Sequence, residues 1–464
     1  NGEGFKYSDL VSYANAMDQL SGQEIEENRF ASFYGALDYS LFDRYVLNVS
    51  FRTDGSNNFG SDEQFNPTWS AGAVWHVSEE TFMEVVRPVL SRLSLRVATG
   101  YTGNINKTVK PNLMMKYYKN FRISDDENYR MGYINNAPNP KLRWEKTRDV
   151  KVALDFGLWK DRINGIVEAY WRKSKDCVTS EYVPVTTGFF NQSYNTSVLQ
   201  NNGVEFSLSV AVLKSKDYNL SVSANVAWNQ NKLKKYNSPN TSLALDKYVG
   251  YPMGAVFSGK YEGIDPETGM YKFKLRPDAV TNKDGYLREP NNYYYYLGTS
   301  VAPFTGGFNL NFSYKNIGLS VGGSYSVKAK MVDNIESPAG YELLSGSKLE
   351  SIPTPHNDLY RNHLNVKREV RNRWTPENRT GVKYPRLIDA YGKKLGLDLT
   401  NPTLTTITRG ALLEDISYLR INTIALSYSL PQRVLERINF SSAALNLTLN
   451  NFFTITKYSG IDPE

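Results

Sequence analysis

Long stretches of this chain alternate apolar and polar residues with a period of two. From Tyr218 to Trp228 every second residue is apolar or alanine, and asparagine or serine fills most positions between them. The same alternation recurs in 45–51, 204–212, 308–314 and 445–449. A period of two predicts β-strands that present one apolar and one polar face.

Counting such stretches predicts about twelve strands, most of them ten or more residues long, whereas strands in soluble proteins average five or six. A tilted strand needs about nine to eleven residues to cross a bilayer, so these lengths favour membrane spans. The predicted strands are 29–40, 44–54, 67–77, 91–101, 147–158, 162–174, 198–213, 217–231, 304–314, 317–329, 413–430 and 442–452.

The connections alternate between short and long. Short polar joints occur near 41–43, 160–161, 214–216 and 315–316, and long ones near 55–66, 102–146, 175–197, 232–303 and 330–412. A soluble sandwich has no reason to gather its long loops at one end, whereas an outer-membrane barrel has short periplasmic turns and long outer loops. The pattern predicts an all-β, transmembrane antiparallel β-barrel.

Three segments predict short helices. Residues 78–92 predict one capped by Ser78 and ending before Pro88, and residues 431–437 predict one that starts at Pro431. The basic segment 361–373 predicts either a solvated loop helix or a patch for a partner.

Aromatic residues flank the predicted strands at both ends. Tyr45, Trp159 and Tyr218 lie near short turns, and Trp171 and Trp228 lie toward the long loops. Two aromatic girdles are typical of the two interfaces of a bilayer, although aromatic cross-strand pairs in a soluble sheet remain an alternative.

Composition narrows the function classes. The 464 residues are 41% hydrophobic with a mean hydropathy of −0.48, and no window is apolar enough for a membrane helix. The net charge of +7 is spread along the chain, so we expect no nucleic-acid partner. A single cysteine, three histidines and the absence of nucleotide or hydrolase motifs predict no enzyme, no catalytic residue, no metal and no cofactor.

Acidic residues fit other roles. Asp155, Glu168 and Glu205 fit the polar face of predicted strands, where a barrel lumen would carry them. Residues 263–269 vaguely resemble a calcium loop, but turn chemistry is the favoured interpretation.

Several blocks resemble one family in its order. They are Phe51-Arg-Thr-Asp-Gly-Ser-Asn-Asn-Phe-Gly60, Pro67-Thr-Trp-Ser-Ala-Gly-Ala-Val-Trp75, Asn139-Pro-Lys-Leu-Arg-Trp-Glu-Lys-Thr147, Arg373-Trp-Thr-Pro-Glu-Asn378, the segment 415–431 and the segment 450–464. Together they resemble the SusC/RagA-type TonB-dependent outer-membrane transporters.

The resemblance implies a 22-stranded barrel around an amino-terminal plug, of which residues 1–464 would be the carboxyl-terminal part, without the plug and the final strand. It also implies import of oligomeric nutrients across the bacterial outer membrane, oligosaccharides foremost and oligopeptides as the alternative. The implied partners are a SusD-like lipoprotein on the long loops, TonB acting through the plug, and outer-membrane lipid.

Loop aromatics and a neighbouring amide are the candidate substrate contacts, because anchored rings offer contact area at low entropic cost. The candidates are Tyr117, Tyr118, Phe189, Phe190, Asn191, Tyr294 and Tyr295. Two other function classes stay open at this point: a soluble or surface-exposed β-rich glycan-binding protein or adhesin, and an outer-membrane enzyme that uses Asp155 or Glu168.

Overall fold

The computed structural model describes residues 29–104, 114–124, 127–189, 191–236, 248–267, 269, 271–277, 294–332, 371–382, 384, 409–437, 439–458 and 462–463, with backbone alone for 114–136. Within these residues, twelve strands form one sheet, and eight further strands lie in its connections. The sheet strands are β1 Phe30–Leu41, β2 Tyr45–Ser56, β3 Phe65–His76, β4 Leu90–Asn104, β7 Glu145–Leu158, β8 Ile163–Tyr182, β9 Asn191–Lys214, β10 Tyr218–Tyr236, β15 Phe304–Tyr314, β16 Ile317–Val327, β19 Tyr418–Ser429 and β20 Ala444–Thr456. The connection strands are β5 Met114–Ser124, β6 Glu127–Asn136, β11 Ala255–Gly259, β12 Tyr261–Ile264, β13 Tyr271–Phe273, β14 Tyr294–Thr299, β17 Lys330–Val332 and β18 Leu413–Asp415.

The order of the strands in the sheet follows the chain. It runs β1-β2-β3-β4-β7-β8-β9-β10-β15-β16-β19-β20, and every neighbouring pair is antiparallel. Successive connections therefore lie at alternate ends of the sheet. The tight joints 42–44, 159–162, 215–217 and 315–316 lie at one end, together with the connections 77–89 and 430–443. The connections 57–64, 105–144, 183–190, 237–303 and 328–417 join the strands at the other end, as the sequence predicts.

Register aligns the apolar residues of neighbouring strands into continuous rows. Val222 lies opposite Val210 on one side and Leu310 on the other. The row continues across the next strands through Val321, Ile424 and Leu449. Because side chains alternate between faces, these rows define one apolar face and leave the intervening residues on a polar face.

Aromatic side chains collect at both ends of the apolar face. Near the short turns Tyr218 lies opposite Tyr314, and Tyr45 lies opposite Trp75. Toward the long loops the rings of Trp69 and Tyr101 pack with centroids 5.8 Å apart. Their placement is that of two interfacial girdles, where the polar end of each ring reaches water.

The helix predicted over 78–92 is wrong. Two short 3-10 turns occupy Val77–Glu79 and Thr81–Met83 instead, and Ser78 lies inside the first turn without capping it. Glu80 separates them in an extended conformation, with φ −75° and ψ 145°. Its carboxylate accepts hydrogen bonds from Tyr45 (2.5 Å) and from the indole of Trp75 (3.0 Å), and these tertiary contacts override the local helical preference.

The same hydrogen bonds tie together the first two connections at the short-turn end. Tyr45 and Trp75, followed by the guanidinium of Arg44, lower the pKa of Glu80 from its usual value because they favour the charged carboxylate. The predicted helix after Pro431 is confirmed as α1, Gln432–Arg437. Most of the basic segment 361–373 lies outside the described residues.

At the long-loop end, the β2–β3 loop is packed against the segment that leads into β7. Phe59 stacks on Trp144 with ring centroids 4.4 Å apart, and Leu142, two residues before Trp144, is only 1% exposed. The Gly60 amide donates to the Leu142 carbonyl at 2.9 Å. Two of the motif blocks that carry the family resemblance therefore meet in space and anchor a loop.

Strands β8, β9 and β10 have 20, 24 and 19 residues, about twice the length needed to cross a bilayer, so they extend beyond it at the long-loop end. Across the described part of the chain, no helix has the length and apolarity to cross a membrane.

Replacing Gly60 with alanine tests the loop anchor. A Cβ at Gly60 would lie 1.8 Å from the Pro140 carbonyl oxygen, so we expect G60A to lose about 1–3 kcal/mol of stability and to expose the β2–β3 loop to protease. The matched control is G35A, because a Cβ there meets no atom within 4 Å. Equal thermal midpoints for the two variants would contradict the anchor.

Candidate functional site

Three ion pairs join β4, β7 and β8 on the polar face. Arg96 contacts Asp155 at 2.6 Å, Lys151 contacts Glu168 at 3.2 Å, and Arg172 contacts Asp149 at 2.8 Å. Asp155 and Glu168 are the two carboxylates that the sequence left open as catalytic residues of an outer-membrane enzyme. Each is therefore paired with a basic side chain. Such pairs between neighbouring strands give a charged but compensated wall.

From β9 to β19 the polar face is dominated by neutral amides and hydroxyls. The Ser320 hydroxyl donates to the Asn311 side chain at 2.8 Å, and the side-chain amide of Asn422 donates to the Ser324 hydroxyl at 3.0 Å. Amide and hydroxyl groups can donate and accept hydrogen bonds, so this part of the face can bind uncharged polar ligands.

A cleft of about 470 Å³ lies at the long-loop end of β10. One side is β10 itself, with Trp228, Asn229 and Asn231, and the other is formed by the segments around Tyr251 and Tyr296. The further lining residues are Asn201, Gln230, Lys232, Gly250, Pro252, Met253, Gly254, Thr299, Val301, Ala302 and Pro303.

The cleft is held by backbone and amide hydrogen bonds. The Leu233 amide donates to the Tyr251 carbonyl at 2.8 Å, and the Gly250 amide donates to the Leu233 carbonyl at 2.7 Å. Asn231 accepts from the Met253 amide at 2.8 Å and donates to Asn201 at 2.7 Å. The 250–253 segment is thereby fixed to the end of β10 and is not a free loop.

Four rings form an aromatic cluster beside the cleft: Tyr248, Tyr251, Phe257 and Tyr296. The ring of Tyr251 lies 4.9 Å from the centroids of both Phe257 and Tyr296. Burial, followed by the proximity of Tyr251, raises the pKa of Tyr296 above its usual value, so its hydroxyl stays protonated and able to donate. Rings beside amides suit a ligand with both apolar and hydroxyl-bearing or amide surfaces.

The residues predicted from sequence fall in three places. Tyr294 and Tyr295 lie in β14, which pairs with β11, and the Tyr295 hydroxyl donates to the Leu275 carbonyl at 2.8 Å. Half-buried Phe189 and exposed Asn191 lie where β8 connects to β9. Tyr117 and Tyr118 lie in β5, which is described by its backbone alone, and Phe190 lies outside the described residues.

The sequence prediction missed the cleft, although it came within one residue of Tyr296. The available signal was the polar alternation of β10, which places Asn229 and Asn231 on the polar face beyond the length of a membrane span. No sequence signal indicates that Tyr251 lines the cleft, since its position there depends on contacts between segments that are distant in sequence.

The segment compared with a calcium loop forms a turn. Asp265 accepts a hydrogen bond from the Glu267 amide at 2.9 Å through its side chain and from the Gly269 amide at 2.8 Å through its carbonyl. The Trp374 indole donates to the Pro266 carbonyl at 3.0 Å, so a further motif block packs on this turn. No group of three or more metal-binding side chains occurs among the residues with described positions.

An antiparallel sheet with one apolar face, girdles at both ends and long loops at one side defines the class of outer-membrane β-barrels. The chain belongs to the family described as TonB dependent receptor-like, beta-barrel, whose model matches residues 2–335. This confirms the fold class and the outer-membrane location that the sequence predicts.

Curated relatives extend the similarity over almost the whole chain. It is 27% identical to the TonB-dependent receptor SusC of Bacteroides thetaiotaomicron over 94% of this chain and 41% of that protein. It is 26% identical to the TonB-dependent receptor P26 of Formosa agariphila over 94% of this chain and 42% of that protein. The chain thus spans less than half the length of these relatives.

Among solved structures, the RagAB peptide transporter matches with a TM-score of 0.74 and 25% identity, over 94% of this chain and 45% of that chain. The RagAB peptide importer in its open-open state matches with a TM-score of 0.72 and 26% identity, over 94% of this chain and 44% of that chain. The predicted resemblance to the SusC/RagA type is confirmed.

Removing the Asn231 side chain tests how the cleft is built. We expect N231A to loosen the 250–253 segment at Met253, because the one side-chain hydrogen bond that Asn231 makes to this segment, worth about 1 kcal/mol, is lost. Hydrogen exchange at the Met253 amide should accelerate about fivefold. The control N309A lies on the same face without lining this cleft; unchanged exchange in N231A would contradict the assignment.

Proposed function

We propose that this chain is the carboxyl-terminal part of the barrel of a TonB-dependent transporter that imports oligomeric nutrients together with a SusD-like surface lipoprotein. The observation that carries the proposal is the similarity to SusC and to the RagAB transporter over 94% of the chain, with the strands in one unbroken order. Oligosaccharides are the proposed substrate class and oligopeptides the alternative.

The edges of the sheet support a larger barrel. In the described structure, β1 hydrogen-bonds to β2 and β20 to β19, each along one side only. An open edge in hydrocarbon leaves backbone donors and acceptors without partners, at a cost of several kcal/mol for each group. We therefore propose that further strands complete a barrel of about 22, with a plug domain against the polar face through which TonB acts.

The neutral part of the polar face favours an uncharged substrate. From β9 to β19 it offers amides and hydroxyls, exemplified by Asn225, Asn311 and Ser320. Sugar hydroxyls can use such a surface as alternating donors and acceptors, and peptide amides can do so as well. The related RagAB protein is named a peptide transporter, which is the reason that oligopeptides stay in the proposal.

The cleft beside the aromatic cluster is the proposed first contact for substrate entering from the loop side. Tyr251 and Tyr296 provide ring faces, and Asn229 and Asn231 provide amides next to them. Sugar rings stack on aromatic faces while amides bind their hydroxyls. The lipoprotein would cover the same end of the sheet, where the longest connections, 105–144, 237–303 and 328–417, join the strands.

Growth on a sole oligomeric nutrient tests the proposal. A strain whose chromosomal copy of the transporter gene is deleted should grow on an oligosaccharide only when a plasmid supplies a functional copy. We expect Y251A/Y296A to raise the half-saturating substrate concentration about tenfold, the equivalent of losing about 1.4 kcal/mol of ring contact. Y251F/Y296F keeps the rings and should retain most of the uptake.

The control V185A changes an exposed residue on the same side of the molecule and should behave as wild type. Growth on oligopeptides but not on oligosaccharides would move the substrate to the alternative class. Growth that is independent of the transporter on every oligomer tried, or unaffected by deletion of TonB, would contradict the import function.

A further inference from the structure

The apolar face changes abruptly to a cationic patch on β7 and β8. Five apolar or small residues on each strand lead toward the long loops and end at Val150 and Trp171, which lie opposite each other. The next two residues on this face are cationic on both strands. They are Lys146 and Arg148 on β7, and Lys173 and Lys175 on β8.

Register brings these four cations together in like-charge pairs. Arg148 lies directly opposite Lys173, and Lys146 lies directly opposite Lys175. Directly opposed residues have Cβ atoms about 4.5–5.5 Å apart, and the next residue on the same face is about 7 Å farther along the strand. Like charges in this arrangement repel each other, so the patch is destabilising unless an anion lies over it.

The opposite face of the same two strands shows that this is not a general property of the wall. There Lys151 contacts Glu168, and Arg172 contacts Asp149, so each cation has a carboxylate on the neighbouring strand. Among the described residues, none of the four patch cations lies within 4.0 Å of a carboxylate oxygen. On the polar face of β7 and β8 each cation therefore has a carboxylate partner, whereas the four patch cations have none among the described residues.

The acidic residues nearest in sequence are engaged elsewhere. Asp176 contacts Arg143 at 2.6 Å. Glu145 accepts hydrogen bonds from Asn104 at 2.7 Å and from the Val178 amide at 2.9 Å. Neither is available to neutralise the patch without breaking its own contacts.

The depth of the patch identifies the kind of anion. Arg148 and Lys173 lie about ten residues from the short-turn ends of their strands, which is the length that a tilted strand needs to cross the hydrocarbon. Trp171, 49% exposed, precedes them at the position of an interfacial ring. The cations therefore lie at headgroup depth in the outer leaflet, directly above a wall that contacts acyl chains.

We propose that Lys146, Arg148, Lys173 and Lys175 bind the phosphate groups of an anionic lipid of the outer leaflet, whose acyl chains lie along Val150, Val152 and Val167. The site combines four positive charges with a continuous apolar surface, which matches a phosphorylated headgroup joined to its acyl chains. The lipid contact requires only the outer-membrane location of the barrel and is independent of which nutrient it imports.

Native mass spectrometry of the full-length protein in a neutral detergent tests the site, with bisphosphorylated lipid A as the probe and phosphatidylcholine as the uncharged comparison. Wild type should retain lipid A in preference to phosphatidylcholine. A basic residue near a charged membrane surface contributes about fivefold to affinity, so R148Q/K173Q should weaken lipid A binding about 25-fold. K214Q/K216Q removes the same charge at the short-turn end and should bind as wild type.

A charge reversal separates lipid binding from a fold defect. R148E creates an opposite-charge pair with Lys173, so we expect its thermal midpoint without lipid to equal or exceed that of wild type. The midpoint increase that lipid A gives to wild type should be lost in R148E, whereas R148K/K173R should keep it.

Three results would overturn the proposal. The first is lipid A binding by R148Q/K173Q at wild-type strength. The second is equal retention of phosphatidylcholine and lipid A by wild type. The third is complete displacement of lipid A by millimolar inorganic phosphate, which would identify the patch as a site for a soluble anion instead of a lipid.

Discussion

The hydrogen-bonding requirement of a backbone in hydrocarbon is the constraint on which this structure depends. An unpaired amide or carbonyl costs several kcal/mol there, so each strand must be bonded to a neighbour along its whole membrane span. Antiparallel pairing of consecutive strands meets that requirement with the shortest connections. It also forces alternate connections to opposite sides of the membrane. The connections on the two sides can therefore differ in length without disturbing the strands of the wall.

Side-chain alternation gives this wall two independent chemistries. The apolar face needs only contact with lipid, and its rows of valine, leucine and isoleucine run unbroken across neighbouring strands. Across β4, β7 and β8 the polar face carries cross-strand ion pairs, such as Arg96 with Asp155, and from β9 to β19 most of its positions carry amides or hydroxyls. Where the apolar face leaves the hydrocarbon at Trp171, it becomes cationic at Lys173, and the anions expected there are those of the membrane itself.

The twelve sheet strands could be predicted from sequence because two signals coincide: a period of two and a polar joint of few residues. The helix after Pro431 could also be predicted from a local signal, the proline at its start. The helix predicted at Ser78 failed because Glu80 is held by Tyr45 and Trp75, a tertiary contact that no local pattern reveals. The ends of β8, β9 and β10 were placed short, since beyond the membrane both faces meet water and the contrast between them fades.

The candidate site was less predictable than the wall. Tyr294 and Tyr295 were singled out as loop aromatics, and their neighbour Tyr296 is the one that reaches the cleft. The cleft itself depends on Asn231, which accepts a hydrogen bond from the Met253 amide, and on Tyr251, whose ring packs against Tyr296. Both contacts join segments that a long connection separates in the sequence. Sequence spacing cannot determine such contacts, because the loop that separates the residues has no fixed period.

Site-directed labelling of β10 in intact outer membranes tests the two-faced wall most directly. Val222 and Ser223 are neighbours on opposite faces, and burial raises the pKa of Cys177 to about 11, so that native thiol reacts slowly. We expect the thiol of V222C to react with a probe dissolved in the bilayer and to resist a water-soluble maleimide, while the thiol of S223C does the reverse. Equal reaction of both variants with the water-soluble reagent would contradict a lipid-facing apolar wall.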